Sequence, residues 1–460
     1  MASGEGRLRR LHARVVEALD RPVVFWRVAA VFGLIGLLLR ILWVSRAGRL
    51  APTNSEMFFV ARAFAETGRL AEAYGPGSGL TAHVTPAMPL LAGHVYRVFG
   101  VGTPAAETAL TVISMAFIVA GVLALNFVAK RLAIPPLPRL AAIAFVCLVP
   151  LNFHLEMGAF RVWEGAAATA VLALALAWAL RMEGDAGRPR WTSMVLLSAI
   201  GAASALLSPP GALAIFGCVG LVALRRRGIP AFIAIASVSA VLLVGFSYPW
   251  AARNEAVFGQ KVWSRTNFGL NFALAFHDGA VSPSDPRKVF AERLAAVDPY
   301  TSRAVLAEMK AVGGEAKYSD IMSAQTKAWI GAHPAGALTI AARHVADFYL
   351  PPKWLWSVYS DRGTAVPLKQ ALTWGITILG LLSMGFRLAR RDWRYLYVLA
   401  VLALPAVPYL LVQPTLRYHY TVSTLLTLLA ADLVYRGLTR AFGAVPSSAG
   451  PASGSRTELA

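Results

Sequence analysis

Ten apolar stretches, at residues 25–44, 105–129, 137–155, 162–180, 191–207, 211–224, 229–250, 368–388, 395–412 and 418–435, decide the solvent in which this chain folds. Most reach or approach the roughly 20 residues that a helix needs to cross a hydrocarbon core about 30 Å thick. Within such a core each backbone N–H and C=O must find its partner inside the chain, which restricts the segments to helices. Only 15% of the residues are charged and 57% are hydrophobic, whereas a soluble domain is about a quarter charged. The expected fold class is all-α and polytopic, with about ten transmembrane helices. The fifth and sixth stretches are short and meet at Ser208-Pro209-Pro210-Gly211, a turn signal that suits a tight helical hairpin or a partly re-entrant pair.

The charge that remains is unevenly placed. Lys and Arg number 44 against 24 Asp and Glu, for a net charge of +20. In a soluble protein that excess would point to nucleic acid. Here the basic clusters lie at the N-terminus, at Lys130-Arg131, at Arg181 with Arg188 and Arg190, at Arg225–Arg227 and at Arg387–Arg394. They follow alternate apolar stretches, which is the positive-inside pattern. No basic stripe interleaved with aromatics is present, so nucleic acid is excluded as a partner. The first apolar stretch, behind Arg7, Arg9, Arg10, Arg14 and Arg21, is too long for a cleaved leader and is read as a signal anchor. Cys147 and Cys218 both fall inside apolar stretches, which argues against a disulfide framework or a zinc site.

The same alternation divides the chain. A basic cytoplasmic N-terminus (1–24) leads into a transmembrane region (25–250), interrupted by a first outer loop (46–104). A second outer loop or subdomain (251–367) precedes C-terminal transmembrane helices (368–442), and a cytoplasmic tail rich in Gly, Ser, Ala and Pro (443–460) is read as disordered. Both outer loops exceed ordinary connections. The first has helical patterns at 55–70 and 87–99, and the second at 287–297, 302–312 and 315–348, with Pro334 breaking the last. In the 55–70 pattern Met57, Phe58, Ala61, Phe64 and Ala65 share a face opposite Arg62, Glu66 and Arg69, which suits a helix in the membrane interface.

Candidate chemistry lies in these loops. Glu56 begins the first amphipathic pattern and is suited to be a general base over an acceptor hydroxyl. It equally fits a capping box in which Thr53 caps the helix and Glu56 reaches back. His83 sits in a turn and would suit a phosphate or a metal, yet no partner stands at ligand spacing. Glu156 and Glu164 flank the third and fourth stretches near His154 and Arg161, and Glu164 with Arg161 fits an ion pair at i, i+3. Arg253, Lys261, Arg265 and Arg417 are cations on the face that the inside rule leaves poor in positive charge. For Arg265 and Arg417 a bound phosphate is favoured over lipid headgroups or snorkelling. No ligand cluster supports a divalent metal, and no cofactor is otherwise called for.

Several segments carry a family likeness. Ser55-Glu56-Met57-Phe58-Phe59-Val60-Ala61-Arg62, Thr85-Pro86-Ala87-Met88-Pro89-Leu90 and Tyr96-Arg97-Val98-Phe99-Gly100 lie in the first loop. Pro249-Trp250-Ala251-Ala252-Arg253-Asn254, Thr266-Asn267-Phe268-Gly269-Leu270-Asn271, His333-Pro334 and Arg417-Tyr418-His419 follow. Together they resemble the GT-C fold membrane glycosyltransferases, in particular bacterial relatives of protein O-mannosyltransferases and of the lipid A aminoarabinose transferase. The likeness covers nearly the whole chain. It implies two large periplasmic loops, a bacterial inner membrane with both termini cytoplasmic, and transfer of a sugar from a polyprenyl-phosphate donor with inversion.

Site roles follow from the same likeness. Glu56 would be the catalytic base, with Asp278 as the alternative. Arg265, Arg417 and Arg253 would bind the donor phosphate, and His83, Asn267, His277, Tyr418 and His419 would bind substrate. The chain departs from its relatives in three places. Thr53 and Asn54 stand where they commonly place an aspartate, Val84-Thr85 where they have Glu or Lys, and His277-Asp278-Gly279 where many have Gly-Asn. The implied partners are the lipid-linked sugar, membrane lipid, and an acceptor among lipid-linked glycans, lipid A core, envelope polymers and proteins. An envelope polysaccharide polymerase or ligase is the alternative enzyme, and a secondary transporter the alternative of another class.

Overall fold

The computed structural model describes residues 14–46, 49–358 and 363–441. Arg7, Arg9 and Arg10 and the 443–460 tail lie outside the described residues. The chain is an all-α polytopic membrane protein. Seven helices are long and apolar enough to cross a membrane: Pro22–Val44, Pro104–Arg131, Gly165–Gly184, Pro209–Arg227, Ile229–Phe258, Val366–Ala389 and Leu416–Ala441. The other three apolar stretches are also helical, but each is bent or short. The third is helical only over Pro136–Leu148 and turns by 60° before Phe153–Arg161. Pro150 explains the break, because it holds the preceding Val149 extended, at φ −85° and ψ 119°. Trp191–Ala205 has 15 residues and forms a tight hairpin with Pro209–Arg227. Tyr395–Ala403 continues as a 3₁₀ turn over Leu404–Leu410, where Pro405 and Pro408 deny the helix two amide donors.

The seventh stretch runs past its expected end. Ile229–Phe258 continues through Pro249 for two further turns and stops at Gly259, whose left-handed φ of 71° caps it. Arg253 and Asn254 therefore project from the end of a spanning helix. In the two long loops helices form at Glu56–Thr67, Ala87–Phe99, Pro286–Val297, Arg303–Ala311, Glu315–Ala332 and Pro334–Tyr349. Pro334 starts the last of these, where its missing N–H costs nothing.

One expectation for the first loop is corrected. Glu56–Thr67 forms as expected, burying Met57, Phe58, Val60, Ala61 and Ala63 against the Ala87–Phe99 helix, but its cap is not the expected one. The helices approach so closely at Gly93 that a Cβ there would sit 2.9 Å from the Ala61 carbonyl oxygen. The N-cap is Ser55, whose hydroxyl accepts from the Phe58 amide at 3.4 Å. Glu56 is thus the first helical residue and not the reciprocal partner of a Thr53 cap.

Two large hydrophobic clusters, beside two small ones, account for most of the core. One fills the bundle between the spans, with Leu176, Leu197, Val222, Val398 and Leu426 at its centre. The other joins both long loops to the ends of the spans through Met57, Tyr96, Phe160, Trp250, Tyr318 and Trp356. The two loops therefore pack on each other at one end of the bundle. At the other end the basic clusters meet. Arg394 donates to the Arg131 carbonyl at 2.9 Å, Arg225 pairs with Glu183 at 2.9 Å, and Arg226 reaches the Asp185 and Gly187 carbonyls at 2.6 and 2.7 Å.

Candidate active site

The site is built around a short hairpin in the first loop. Ala71 and Leu80 pair across Gly75-Pro76-Gly77-Ser78-Gly79, where Gly75, Gly77 and Gly79 have φ of 98°, 80° and 93°. L side chains avoid that region, so the glycines permit the tight return. Glu72 closes the hairpin by accepting from the Ser78 and Gly79 amides at 3.0 and 3.2 Å. The hairpin holds Tyr74 and delivers the chain to His83.

Residues 81–83 are then clamped from three directions. Buried Glu315, from the second loop, accepts from the Thr81 hydroxyl at 2.7 Å, the Ala82 amide, and the Thr266 hydroxyl at 2.8 Å. The Thr266 amide donates to the Ala82 carbonyl at 2.9 Å. Arg253 donates to the Thr81 and Leu70 carbonyls, both at 2.8 Å, and to the Asn254 side chain at 2.9 Å. Its guanidinium braces the segment with most of its donors. Burial raises the Glu315 carboxyl above its usual value, and four hydrogen-bonding and charged neighbours oppose that shift.

Glu56 faces this segment from the start of its helix. Its Oε1 lies 4.0 Å from His83 Nε2, with the Glu56 side chain 26% exposed and that of His83 5%. Burial raises the Glu56 carboxyl above its usual range, while its own backbone amide and the Arg417 charge pull it back. His83 Nδ1 is 3.0 Å from the Tyr74 hydroxyl. Burial, then the charges of Arg265 and Arg417, push the His83 imidazole down to about 3. Two arginines from distant parts of the sequence therefore converge on one histidine.

The arginines differ in how they are held. Arg417 lies over the Trp163 ring, 3.6 Å from its centroid, and donates to the Tyr418 hydroxyl at 2.9 Å. Tyr418 in turn stacks on Tyr409 at 4.3 Å. Arg265 follows Ser264, whose carbonyl accepts from the Trp250 indole at 2.6 Å. Among the described residues the Arg265 guanidinium makes no hydrogen bond or ion pair. Beside it an apolar cavity of about 360 Å³ runs between Pro209–Arg227 and Ile229–Phe258, lined by Leu213, Phe216, Val244, Trp263 and Ser264. Val244 and Trp263 are also exposed on the flank of the bundle. Glu164 borders a small pocket with Ser208, Tyr409 and Arg417, and its Oε2 is buried without a hydrogen bond.

Other candidates lie elsewhere. Asp278 is exposed and accepts from the Trp329 indole at 2.8 Å, with His333 4.0 Å away. It belongs to a separate cluster around Phe276 and Trp329. His277 adjoins that cluster, and burial followed by Arg293 lowers it to about 4. His419 is buried and bonded to the Phe348 carbonyl at 2.9 Å, inside a spanning helix. Asn267 is buried near Arg265 with its side-chain oxygen lacking a hydrogen bond. Arg161 does not pair with Glu164. It meets Glu107 at 2.7 Å and donates to the carbonyls of Arg49, Leu50 and Ala51. Glu156 pairs with Arg40, also at 2.7 Å.

Three residues near Glu56 had no sequence signal. Asp298 is buried, and burial with the Glu56 charge raises it to about 7. Tyr300 donates to the Asn54 carbonyl at 2.7 Å, docking the second loop just ahead of Glu56. Tyr74 completes the group. Among the described residues no group of three or more His, Cys, Asp or Glu side chains could hold a metal ion.

No protein-family model matches the sequence, and no curated protein matches it. Solved structures are similar over nearly its whole length. One is the oligosaccharyltransferase AglB of the archaeon Archaeoglobus fulgidus with an inhibitory peptide and a dolichol-phosphate, at 15% identity and a TM-score of 0.46, covering 95% of this chain and 52% of that one. The same organism's oligosaccharyltransferase in its apo form gives 15% identity and a TM-score of 0.48, over 92% and 52%. ArnT from Cupriavidus metallidurans bound to undecaprenyl phosphate gives 16% identity and a TM-score of 0.33, over 92% and 79%. The chain thus spans about half the length of the oligosaccharyltransferases to which it is similar.

Proposed function

We propose that this protein is an inverting glycosyltransferase of the bacterial plasma membrane, acting at the outer face with both termini in the cytoplasm. Its donor is a polyprenyl-phosphate sugar, and its acceptor is a hydroxyl of a lipid-linked glycan, lipid A core, envelope polymer or protein. The observation that carries this reading is a partly exposed carboxylate, Glu56, beside a histidine on which the charges of Arg265 and Arg417 both act, with an apolar groove lined by Ser264 next to Arg265.

Each part has a task. The groove takes the first isoprene units, and its end at Ser264 sets the phosphate beside Arg265. Arg417, held by Trp163 and Tyr418, approaches from the other side. Guanidinium forks suit the oxygens of a phosphate. Glu56 takes the proton of the acceptor hydroxyl, and the freed oxygen attacks the anomeric carbon from the face opposite the phosphate. The bond from that carbon to the phosphate oxygen breaks, and its electron pair leaves with the polyprenyl phosphate. The arginines stabilise the charge gathering there. Glu56 works as a base because partial burial raises its proton affinity while its exposed edge admits an acceptor.

Membranes containing the protein, supplied with a polyprenyl-phosphate sugar and an envelope acceptor extract, test the reading. Glu56→Gln should express normally and lose transfer. Full transfer by that variant would remove Glu56 from the mechanism.

A further inference from the structure

His83 stands between a tyrosine and the carboxylate of the proposed base, and the hydrogen-bond inventory around it fixes more than its position. A neutral imidazole carries one N–H donor and one acceptor nitrogen, and the partner of one nitrogen decides the state of the other. Nδ1 is 3.0 Å from the Tyr74 hydroxyl. That hydroxyl is buried, and His83 is its sole hydrogen-bond partner among the described residues. Were the ring proton on Nδ1, the Tyr74 proton would face no acceptor, at a cost typical of an unsatisfied buried donor. The arrangement that satisfies both has Tyr74 donating to Nδ1 and the ring proton on Nε2.

Nε2 is the atom that faces Glu56, 4.0 Å from its Oε1. This is beyond hydrogen-bond length. The two partners differ in freedom, however: the His83 side chain is 5% exposed and that of Glu56 26%. The histidine is held, and a small rotation of the glutamate closes the gap.

Resting on the reading of Glu56 as base, we propose that Tyr74 and His83 form a positioning relay, in which Tyr74 sets the tautomer of His83 and His83 Nε2–H orients the Glu56 carboxylate. His83 is then neither a phosphate ligand nor a second base. Its neutrality matters. A charged imidazolium would ion-pair with Glu56 and quench it, whereas a neutral donor fixes the lone pairs and leaves most of their basicity. Burial, followed by the charges of Arg265 and Arg417, keeps the ring neutral, at about 3. Burial likewise keeps the Tyr74 proton in place. The hairpin supports the relay, since the Tyr74 amide donates to Ser78 Oγ at 3.2 Å. So does the clamp, since the His83 amide donates to the Thr81 hydroxyl at 3.0 Å and that hydroxyl is bonded to Glu315.

Other ionisable groups face these three residues. Arg417, Asp298 and Tyr300 act on Glu56, Arg265 and Arg417 on His83, and Glu315, Asp298 and Tyr318 on Tyr74. The test therefore compares variants of one protein with all of those groups unchanged.

Dicyclohexylcarbodiimide, an apolar reagent for protonated carboxyls, reads the Glu56 titration without any transfer assay. Purified full-length protein is labelled across pH 5–9, and Glu56 modification is quantified by mass spectrometry. In His83→Leu the labelling midpoint should rise by roughly one pH unit, because a hydrogen bond to the charged form is lost. His83→Gln, whose amide nitrogen reaches the Nε2 position, should restore it. Tyr74→Phe should move the midpoint the same way by less, since the ring then chooses its tautomer freely. A purely structural role would leave the midpoint in place. Unchanged midpoints in both His83→Leu and Tyr74→Phe would overturn the relay, as would a downward shift or the absence of Glu56 labelling in the parent protein. If His83→Leu fails to fold, Tyr74→Phe, which loses one hydroxyl, decides alone. The base reading fails separately, if Glu56→Gln keeps transfer while the midpoint shifts hold.

Discussion

The two ends of the bundle both concentrate charge, and they use it differently. At the end where the basic clusters meet, carboxylates pair with several of the arginines and backbone carbonyls take Arg226 and Arg227. Fully buried Asp432 takes Arg387 at 3.0 Å and Arg436 at 2.9 Å, Asp392 takes Arg394 at 2.8 Å, and Glu183 takes Arg225 together with the Tyr397 hydroxyl. At the loop-bearing end Arg253 spends most of its donors on fixed acceptors. Among the described residues, however, Arg265 and the Glu164 Oε2 lack hydrogen bonds, and Glu56 has no basic partner within salt-bridge distance other than His83. Completed networks hold a shape. Uncompleted ones of opposite sign, with Arg265 next to the apolar groove that Ser264 lines, leave charge available for a ligand.

The contrast can be broken by substitution. The largest effect is expected at Glu56, where removal of a general base should cost 10²–10⁴-fold in transfer, so Glu56→Gln should lower kcat with the melting temperature unchanged. Next comes Asp432→Ala at the opposite end, which strands two arginines and should cost about 3 kcal/mol of stability. Thermal unfolding in detergent checks this, and kcat/KM of the surviving folded protein should hold. Arg265→Ala should raise the KM for a polyprenyl-phosphate donor by about 10–100-fold, the scale of a lost charge-assisted contact, with little change in melting. Equal losses of stability at Arg265 and Asp432 would erase the distinction between the ends. The smallest effect belongs to Glu66→Gln in the exposed Arg62–Glu66 pair, where melting should shift by the equivalent of less than about 0.5 kcal/mol.

Acidity sharpens the same contrast. As the proposed base, Glu56 would act when deprotonated, and burial raises its carboxyl. Transfer should therefore fall as pH drops through a value above the ordinary glutamate range. His83, at about 3, stays neutral through that window, so the acid limb belongs to Glu56 and its carboxylate neighbour Asp298, which burial and Glu56 raise to about 7.

Much of the architecture was legible in the sequence because a bilayer leaves little choice of backbone. The ten apolar stretches all became helices, and Pro334 divides the second loop where its missing amide requires. What the hydropathy pattern could not convey was the 60° turn at Pro150 or the extension of Ile229–Phe258 past Pro249, since apolarity is nearly silent about helix ends. At the candidate site Glu56, His83 and Arg265 stood out as isolated ionisable residues in loops, and Arg417 as one at the start of the last span. Their surroundings did not. Thr53 looked like the cap because the spacing fits, yet Ser55 takes the role. Arg161 looked paired with Glu164 three residues on, yet a partner 54 residues back holds it. Tyr74, Asp298 and Glu315 escaped notice because only tertiary contacts bring them near.

The Glu315 clamp has a consequence for synthesis. It joins residues 234 positions apart in the chain, and Arg417 arrives about a hundred residues later still. A chain emerging from the ribosome N-terminus first makes the loop that carries Glu56 and His83 long before their partners exist. The unfinished protein thus carries its carboxylate with neither clamp nor arginines. On the proposed reading, activity requires the chain to extend at least through Arg417, and truncation before the last span would remove an arginine from the site.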